Sequence, residues 1–179
     1  METENPVNRS GDQVASWFIQ QRREGQHFDL ARCALKIATD QDPALDIEHY
    51  LSELDALATR LAPRLEPAAT LKERLQILSN YLCRVEGFTG NHDKYYAPEN
   101  SYLSHVIERR QGLPITLAVV YVEVARRAGL DLQGVEFPSH FLIRAGEPPI
   151  FIDAFNDGEL LNEEDCAALL KRFTGGRLT

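Results

Sequence analysis

Two residues in the last third of the chain have types and a spacing that suit acid–base chemistry. His140 directly precedes one predicted strand, Asp153 ends the next, and a hairpin loop joins the two strands. A register that pairs Arg144 with Ile150 brings the two polar residues to the same end of this hairpin. A carboxylate can fix the tautomer of a neighbouring imidazole, which is the second half of a nucleophile–His–Asp triad. The pair can equally be a hydrogen-bonded support for the sheet.

Candidate nucleophiles for this pair are few. Cys83 and Cys33 follow the apolar rhythm of predicted helices, so both are predicted to be buried core thiols. Cys166 lies in the closing helix and has no reason to face His140. The three cysteines are odd in number and lack a CxxC pair, which indicates reduced thiols and not a disulfide framework or a zinc site. The hydroxyl of Ser101 is expected near the site, although this serine also suits a helix cap.

Metal and cofactor sites are not indicated by the sequence. His92 with Asp93 and His105 could ligate a metal ion, but their spacing matches no known metal pattern. A solvated loop histidine is the simpler interpretation. We therefore predict no metal site and no cofactor.

The composition restricts the class of protein. A length of 179 residues suits one domain, and 27 acidic against 19 basic residues give a formal charge of −8. This charge argues against nucleic-acid binding, because phosphate neutralisation needs clustered lysine and arginine. No apolar run approaches the roughly 20 residues that a membrane span needs, and the acidic amino terminus does not resemble a secretory signal. We expect a cytoplasmic protein that binds neither nucleic acid nor membranes.

The amino-terminal half is predicted to be helical. Its apolar residues recur at three- and four-residue intervals in three segments: Phe28–Ala38, Ala44–Pro63 and Leu71–Gly87. Thr70 and Glu73 form a capping-box pattern at the start of the third segment. Amphipathic helices joined by short connections cannot bury their apolar faces alone, so they must pack on each other or on the later half of the chain.

The middle of the chain carries a short helix and then a central one. Asn100 or Ser101 is predicted to cap the short helix, which runs through Arg110. Pro114 opens the next helix, where a proline costs little because its missing N–H had no partner. That helix ends at Gly129 and is apolar almost all round, so it is predicted to be the buried centre of the domain.

Strands and a closing helix complete the chain. The period shortens beyond residue 129, which predicts strands at Leu132–Val135, Phe141–Arg144 and Ile150–Asp153. Asn162 is predicted to cap a closing helix that ends near Gly175. Helices succeeded by a small antiparallel sheet predict an α+β fold.

Several blocks of sequence, in a fixed order, carry a resemblance to a known family: Phe28–Ala38, Tyr50–Ala58, Tyr96–Leu103, Arg109–Leu117, Tyr121–Leu130, Gly134–Leu142 and Ile152–Phe155. They resemble the SirB-type branch of the transglutaminase-like superfamily over about residues 28–173. The resemblance implies a helical bundle packed with a transglutaminase-like core in one compact domain. We therefore divide the chain into a helical subdomain at 28–90 and the core at 91–179, with a tail or helix at 1–27 before the matched region. Related proteins often continue into helical repeats, which we do not expect before Thr179.

The resemblance also implies where a catalytic triad would lie. The superfamily carries its cysteine nucleophile at the start of a buried helix, and the following strands carry the histidine and the aspartate. By this resemblance the histidine is His140, the aspartate is Asp153, and the cysteine position falls on Pro114. Proline has neither a nucleophile nor an amide proton for an oxyanion hole. If the cysteine position is misplaced by one or two residues, the only hydroxyl side chain within that distance is Thr116.

The function has two competing hypotheses. In the first, the domain is non-catalytic, His140 and Asp153 are a vestigial pair, and a groove binds a peptide, a protein partner or a small molecule in a regulatory role. Groove candidates are Tyr96, Asn100, Ser101, Thr116 and Ser139. In the second, the chain is a hydrolase or acyl-transfer enzyme, and His140 acts on water or on a non-cysteine nucleophile with Asp153 orienting it. We favour the first, while the partner and the oligomeric state cannot be deduced from the sequence.

The chain departs from the SirB-type pattern at two positions beside this pair. The resemblance leads us to expect glycine where Ser139 stands and proline where Ala154 comes after the aspartate. Neither change removes a reactive group, but both adjoin the predicted site.

Overall fold

A computed structural model describes residues 8–23 and 29–174 of the chain. The predicted helix start at Phe28 and the predicted helix end near Gly175 lie outside these ranges. The helices are α1 Asn8–Arg23, α2 Leu30–Ala38, α3 Ile47–Leu65, α4 Leu71–Asn80, α5 Leu103–Arg109, α6 Pro114–Arg127 and α7 Glu163–Thr174. The strands are β1 Thr89–Gly90, β2 Gln111–Gly112, β3 Gln133–Phe137, β4 His140–Ala145, β5 Ile150–Asp153 and β6 Glu159–Leu161. The predicted α+β class is confirmed.

Helices α2, α3 and α4 pack their apolar faces together, as their periodicity predicts. The capping box of Thr70 and Glu73 is confirmed, since each side chain accepts from the backbone N–H of the other residue. The predicted stop of α3 at Pro63 is wrong, because the helix continues to Leu65. Pro63 is exposed in the last turn, where the carbonyl that loses its helical partner can bond to water instead.

Helix α5 begins differently from the prediction. Neither Asn100 nor Ser101 caps it, because Tyr102 occupies the N-cap position without a side-chain hydrogen bond. A 3₁₀ turn, Pro98–Ser101, takes up both predicted caps. The helix ends at Arg109, and the next residue, Arg110, has a left-handed φ of 60° that turns the chain into β2.

Helix α6 is the buried centre of the molecule, as predicted. It begins at Pro114 and ends before Gly129, whose φ of 82° suits a glycine at a helix end. Its core-facing side chains are almost completely buried: Leu117, Ala118, Val120, Tyr121, Val124 and Ala125. The main hydrophobic core combines this helix with the helical half and with one face of the sheet.

The sheet has four antiparallel strands in the order β3-β4-β5-β6, and its short edge strand β6 was not predicted. The observed register corrects the predicted one, because Ala145 and not Arg144 pairs with Ile150. Side chains alternate between the two faces of a sheet, so the predicted register would put His140 and Asp153 on opposite faces. The shift of one residue places both on the same face.

Helix α7 closes the described part of the chain. Asn162 and Asp165 cap it reciprocally, each side chain accepting from the other residue's backbone N–H at 2.9 Å. The predicted Asn162 cap is therefore confirmed. Across residues 8–23 and 29–174, no helix is long and apolar enough to cross a membrane.

Candidate functional site

The His140 imidazole and the Asp153 carboxylate are hydrogen-bonded. The two atoms, Nε2 and Oδ2, lie 2.8 Å apart. The side chains are only 6% and 3% exposed, so the contact is shielded from water. Strand β4 begins at His140 and β5 ends at Asp153, and the observed register brings these two ends together.

Asp153 is held from several directions. Its Oδ1 accepts from the backbone N–H groups of Phe155 and Asn156 at 3.1 Å each. Its Oδ2 accepts a further bond from the Asn156 side-chain amide at 2.8 Å. Burial would raise the pKa of Asp153, but the hydrogen bonds from His140 and Asn156 outweigh burial and lower this pKa. The structure thus favours a carboxylate in one fixed orientation.

Two aromatic rings cover the His140 imidazole. The Phe155 ring stands nearly perpendicular to it, with centroids 6.1 Å apart. The Phe173 ring, from the last turn of α7, lies 5.8 Å away at an angle of 31°. Phe155, Phe173 and Asn156 were not recognised from the sequence. A turn signal, Asn156 to Gly158, could have indicated the Asp153 contacts, whereas nothing in α7 distinguishes Phe173 from a core residue.

A cavity of about 450 Å³ opens beside this pair. It lies between the start of α6, the β3–β4 hairpin and the loop before α5, and its lining is mostly apolar: Tyr95, Leu113, Pro114, Ile115, Glu136, Phe137, Ser139, His140 and Phe141. A larger cavity of about 620 Å³ lies near the β4–β5 loop and α7. We regard the smaller one as the candidate site, because it adjoins the His–Asp pair.

The start of α6 has no thiol at the cavity wall. Pro114 lines the cavity directly, flanked by Leu113 and by Ile115, which is 50% exposed. Thr116 does not line the cavity, and its hydroxyl is hydrogen-bonded to the backbone. Its Oγ1 accepts from the Leu113 N–H at 3.0 Å and donates to the carbonyl of Asn100 at 2.8 Å. The hydroxyl nearest to the predicted nucleophile position therefore connects α6 to the preceding loop.

Asn100 is also a structural residue. Its side chain is buried, accepts from the Asn91 amide at 2.9 Å, and donates to the carbonyls of Lys94 and Tyr95. These bonds fix the loop that carries Tyr95 to the cavity. Of the five predicted groove residues, Ser139 alone lines this cavity.

The remaining predicted groove residues lie in solvent. Tyr96 is 94% exposed and outside the cavity, where its neighbour Tyr95 lies instead. Ser101 is exposed at the end of the 3₁₀ turn. The loop that carries the predicted groove residue Tyr96 therefore reaches the cavity through Tyr95.

Ser139 has a backbone conformation that glycine prefers. It is the second residue of the two-residue connection between Phe137 and His140, and its φ is +57°. Together with Pro138 before it, this pattern matches the turn type that favours proline and then glycine. The geometry therefore explains the expectation of glycine at this position.

The three thiols differ in burial. Cys33 is buried, as predicted, while Cys83 is half-buried and not the core thiol that we expected. The Cys83 sulfur lies 3.7 Å from an Asp157 carboxylate oxygen. Burial raises the pKa of all three, and nearby carboxylates add to this effect. In the part of the chain that the structure describes, no cysteine hydrogen-bonds to His140.

The candidate metal residues are dispersed. Within the described ranges, no group of three or more His, Cys, Asp or Glu side chains is arranged to hold a metal ion. The His92 ring instead packs on Phe155, with centroids 4.4 Å apart. The His105 ring packs on Tyr102 at 6.0 Å.

Comparison with known proteins identifies related chains. A family model described as the transglutaminase-like superfamily matches residues 48–179. A UPF0162 protein of Xylella fastidiosa strain 9a5c is 39% identical over 157 residues, which cover 87% of this chain and 56% of the relative. A UPF0162 protein of Pseudomonas aeruginosa is 37% identical over 146 residues, covering 82% of this chain and 53% of the relative. The chain thus spans about half the length of these curated relatives.

A shorter match lies in an animal protein. F-box only protein 21 of Mus musculus is 39% identical over 93 residues, which cover 46% of this chain and 15% of that protein. No solved structure matches the chain.

Proposed function

The chain belongs to the transglutaminase-like superfamily, and from this premise we propose that it is a non-catalytic member whose groove binds a protein or peptide segment. We assign it to the SirB-type branch as part of this proposal, on the ordered blocks of sequence that resemble that branch. We also propose a cytoplasmic location, because the free cysteines suit a reducing compartment.

The observation that carries the proposal is the residue at the start of α6. A cysteine nucleophile needs the amino end of the buried helix, where free amides and the helix dipole favour the thiolate. Pro114 occupies this end, at the cavity wall that also carries His140. The thiols that the chain does have carry raised pKa values, which is the opposite of what a nucleophile requires.

The His–Asp pair then has a structural role. With Asp153 accepting four hydrogen bonds, the pair connects the ends of β4 and β5 and the turn after β5. A buried carboxylate with this many partners is costly to remove. The pair therefore maintains the shape of the cavity and has no catalytic role.

The cavity wall suits a peptide side chain. Tyr95, Leu113 and Ile115 present apolar surface that is open to solvent, and exposed apolar surface around a concave site favours binding of another molecule. Aromatic residues at such sites contribute much of the binding free energy in protein interfaces.

A second candidate function is a hydrolase or acyl-transfer activity. The observation that favours it is the position of His140, since its Nε2 bonds to Asp153 and the residue lines the cavity. The other ring nitrogen, Nδ1, could then accept a proton from water or from a substrate hydroxyl. The Phe173 ring over the imidazole would have to move before a substrate could reach it.

Selection of peptides from a phage-displayed library tests the binding function. The wild-type chain is the target, and Ile115→Glu, which puts a charge at the cavity mouth, is the counter-target. Val85→Glu is the matched control, because Val85 is 52% exposed and does not line the cavity. We expect peptides that bind the wild type and Val85→Glu but not Ile115→Glu. Peptides that bind all three equally, or none at all, would contradict the proposal.

Hydrolysis of 4-nitrophenyl acetate separates the two candidate functions. A non-catalytic domain gives the same background rate for the wild type and His140→Gln. A rate that saturates with ester concentration and disappears in His140→Gln would support the enzyme instead.

A further inference from the structure

Strand β3 is an open edge of the sheet. Within residues 8–23 and 29–174 it pairs with β4 alone, and Phe137 and His140 close the hairpin through a two-residue connection. In an antiparallel ladder, alternate residues direct their N–H and C=O groups to the partner strand. Since Phe137 closes the hairpin, Val135 and Gln133 also face β4. The backbone groups of Gly134 and Glu136 therefore point outward.

These outward groups are accessible. Gly134 and Glu136 are both exposed, and no other backbone group in the described ranges bonds to them. An edge with free N–H and C=O groups is a template for an additional strand. The edge here leads directly to the candidate site, because Glu136 and Phe137 line the 450 Å³ cavity.

The Phe141 ring lies against Gly134. A Cβ atom at this position would lie 2.7 Å from the Phe141 ring, so the ring occupies the space that a side chain would need. The Phe141 ring thus lies beside the open edge and extends the apolar surface toward the cavity. A strand added to β3 would pack one face on this apolar surface and would pair its backbone with Gly134 and Glu136.

The charges indicate what kind of strand fits. Among the residues that the structure describes, Glu136 is the one acidic residue of the cavity lining, and none of these lining residues is a lysine or an arginine. The chain as a whole carries a formal charge of −8. A second copy of this chain would bring like charges together across the edge, whereas a basic segment would be attracted.

We propose that the edge of β3 receives an extended basic segment of a partner protein, which pairs with the backbone of Gly134 and Glu136 and inserts an apolar side chain into the cavity. This inference rests on the proposed peptide-binding function and specifies how the peptide binds. An apolar residue fills the pocket at Ile115, and a neighbouring lysine or arginine lies beside Glu136. Such strand addition combines backbone affinity with side-chain specificity.

Three capped heptapeptides test the mode of binding. The first alternates lysine with leucine, the second has the same sequence with its five central amides methylated, and the third alternates glutamate with leucine. Titration into the ¹⁵N-labelled chain, monitored by NMR, reports on the amides of Gly134, Glu136 and Ile115. We expect the first peptide to shift all three amides. The second and third should bind at least about tenfold more weakly, because strand hydrogen bonds or charge attraction are lost.

Variants of β3 separate the hydrogen bonds from the charge. Glu136→Pro removes an outward N–H without breaking a hydrogen bond to β4. It should lower the affinity for the lysine peptide about tenfold. Glu136→Gln keeps that N–H and should weaken binding only about threefold, as for an exposed ion pair. Glu159→Gln, an exposed acid on β6, is the matched control and should bind as the wild type does. Unchanged spectra outside β3 verify the fold of each variant.

Other outcomes overturn the inference in distinguishable ways. Equal binding of the lysine peptide and its methylated form would exclude strand pairing, while the groove function could still hold. No binding of the lysine peptide would overturn the inference, and the phage selection would then decide the proposed function separately. A dimer in sedimentation velocity that Glu136→Pro dissociates would assign the edge to a second copy.

Discussion

The ring of Phe173 lies over the ring of His140, with centroids 5.8 Å apart and planes inclined by 31°. Phe173 is 43% exposed, so this contact is not anchored in the main core. The last turn of α7 therefore shields the imidazole through a single aromatic side chain that faces solvent on its other side.

Removing this ring should uncover His140. In Phe173→Ala, we expect diethyl pyrocarbonate to modify His140 several-fold faster than in the wild type, as measured by peptide mass spectrometry. The free energy of unfolding should fall by only about 1 kcal/mol, because the ring is half exposed. Phe173→Leu, which retains apolar cover, is the control and should react more slowly than the alanine variant. An unchanged rate in Phe173→Ala would show that Phe155 alone protects the imidazole.

The Asp153 carboxylate should stabilise the fold in a pH-dependent way. Folding lowers its pKa, so the ionised group stabilises the fold above the unfolded pKa of about 3.9. This stabilisation is lost as the pH falls through the lower folded pKa. We expect Asp153→Asn to reduce the free energy of unfolding by about 2 kcal/mol at pH 7 and by less at pH 3, measured with urea.

Asp131→Asn is the control for this measurement, because Asp131 is exposed. It should change the stability by less than about 0.5 kcal/mol at either pH. A loss from Asp153→Asn that stays the same between pH 7 and pH 3 would contradict the assigned role of the ionised carboxylate.

The turn before His140 should tolerate glycine better than serine. Ser139 has a φ of +57°, where a Cβ atom is unfavourable by about 1 kcal/mol. Ser139→Gly should therefore raise the midpoint of thermal unfolding by a few degrees. Ser101→Gly, at an exposed position without a positive φ, should lower the midpoint or leave it unchanged. A lower midpoint for Ser139→Gly would show that the serine makes a compensating contact.

A thiol introduced at the start of α6 should be activated. Pro114→Cys places sulfur at a helix amino end in the cavity that His140 lines, which should lower its pKa. At pH 7 we expect iodoacetamide to alkylate this cysteine about tenfold faster than a cysteine in Ser101→Cys. Peptide mass spectrometry distinguishes both from the three native thiols.

Addition of His140→Gln to Pro114→Cys tests the role of the imidazole. The rate should fall toward that of the Ser101→Cys control if the ring assists the thiol. Equal rates with and without His140 would mean that residue 114 is not the position of the missing nucleophile.

Thr116 should matter for stability and not for binding. Its hydroxyl connects Leu113 at the start of α6 with the carbonyl of Asn100. Thr116→Val keeps the shape but leaves both groups unpaired, so we expect a loss of about 2 kcal/mol in the free energy of unfolding. Peptide affinity of the folded variant should remain within about twofold of the wild type, measured by titration calorimetry. A large loss of peptide affinity without a loss of stability would show that Thr116 belongs to the binding groove.

Local signals predicted the helices of this fold well. Pro114 and Gly129 mark the two ends of α6 in the sequence and in the structure, because the backbone conformation that each residue favours suits one helix end. Pro63 misled for a related reason. A proline ends a helix only where its neighbours need the missing hydrogen bond, and an exposed last turn does not.

Non-local relationships could not be predicted in the same way. The strands β4 and β5 were recognised, but their register depends on how many residues the loop between Ala145 and Ile150 takes. Asn100 looked like a helix cap, and its actual partners lie in a loop whose path no short pattern specifies. The cover from Phe173 depends on where α7 docks, which is a property of the assembled fold.

Gly90 lies against the turn that holds Asp153. A Cβ atom at this position would be 2.4 Å from the Phe155 carbonyl oxygen and 2.7 Å from its ring. Phe155 in turn donates its N–H to Asp153, so even a methyl group at position 90 would displace the backbone around the carboxylate. Substitutions of Gly90 should therefore reduce peptide binding as substitutions of the cavity residues do, although Gly90 does not line the cavity.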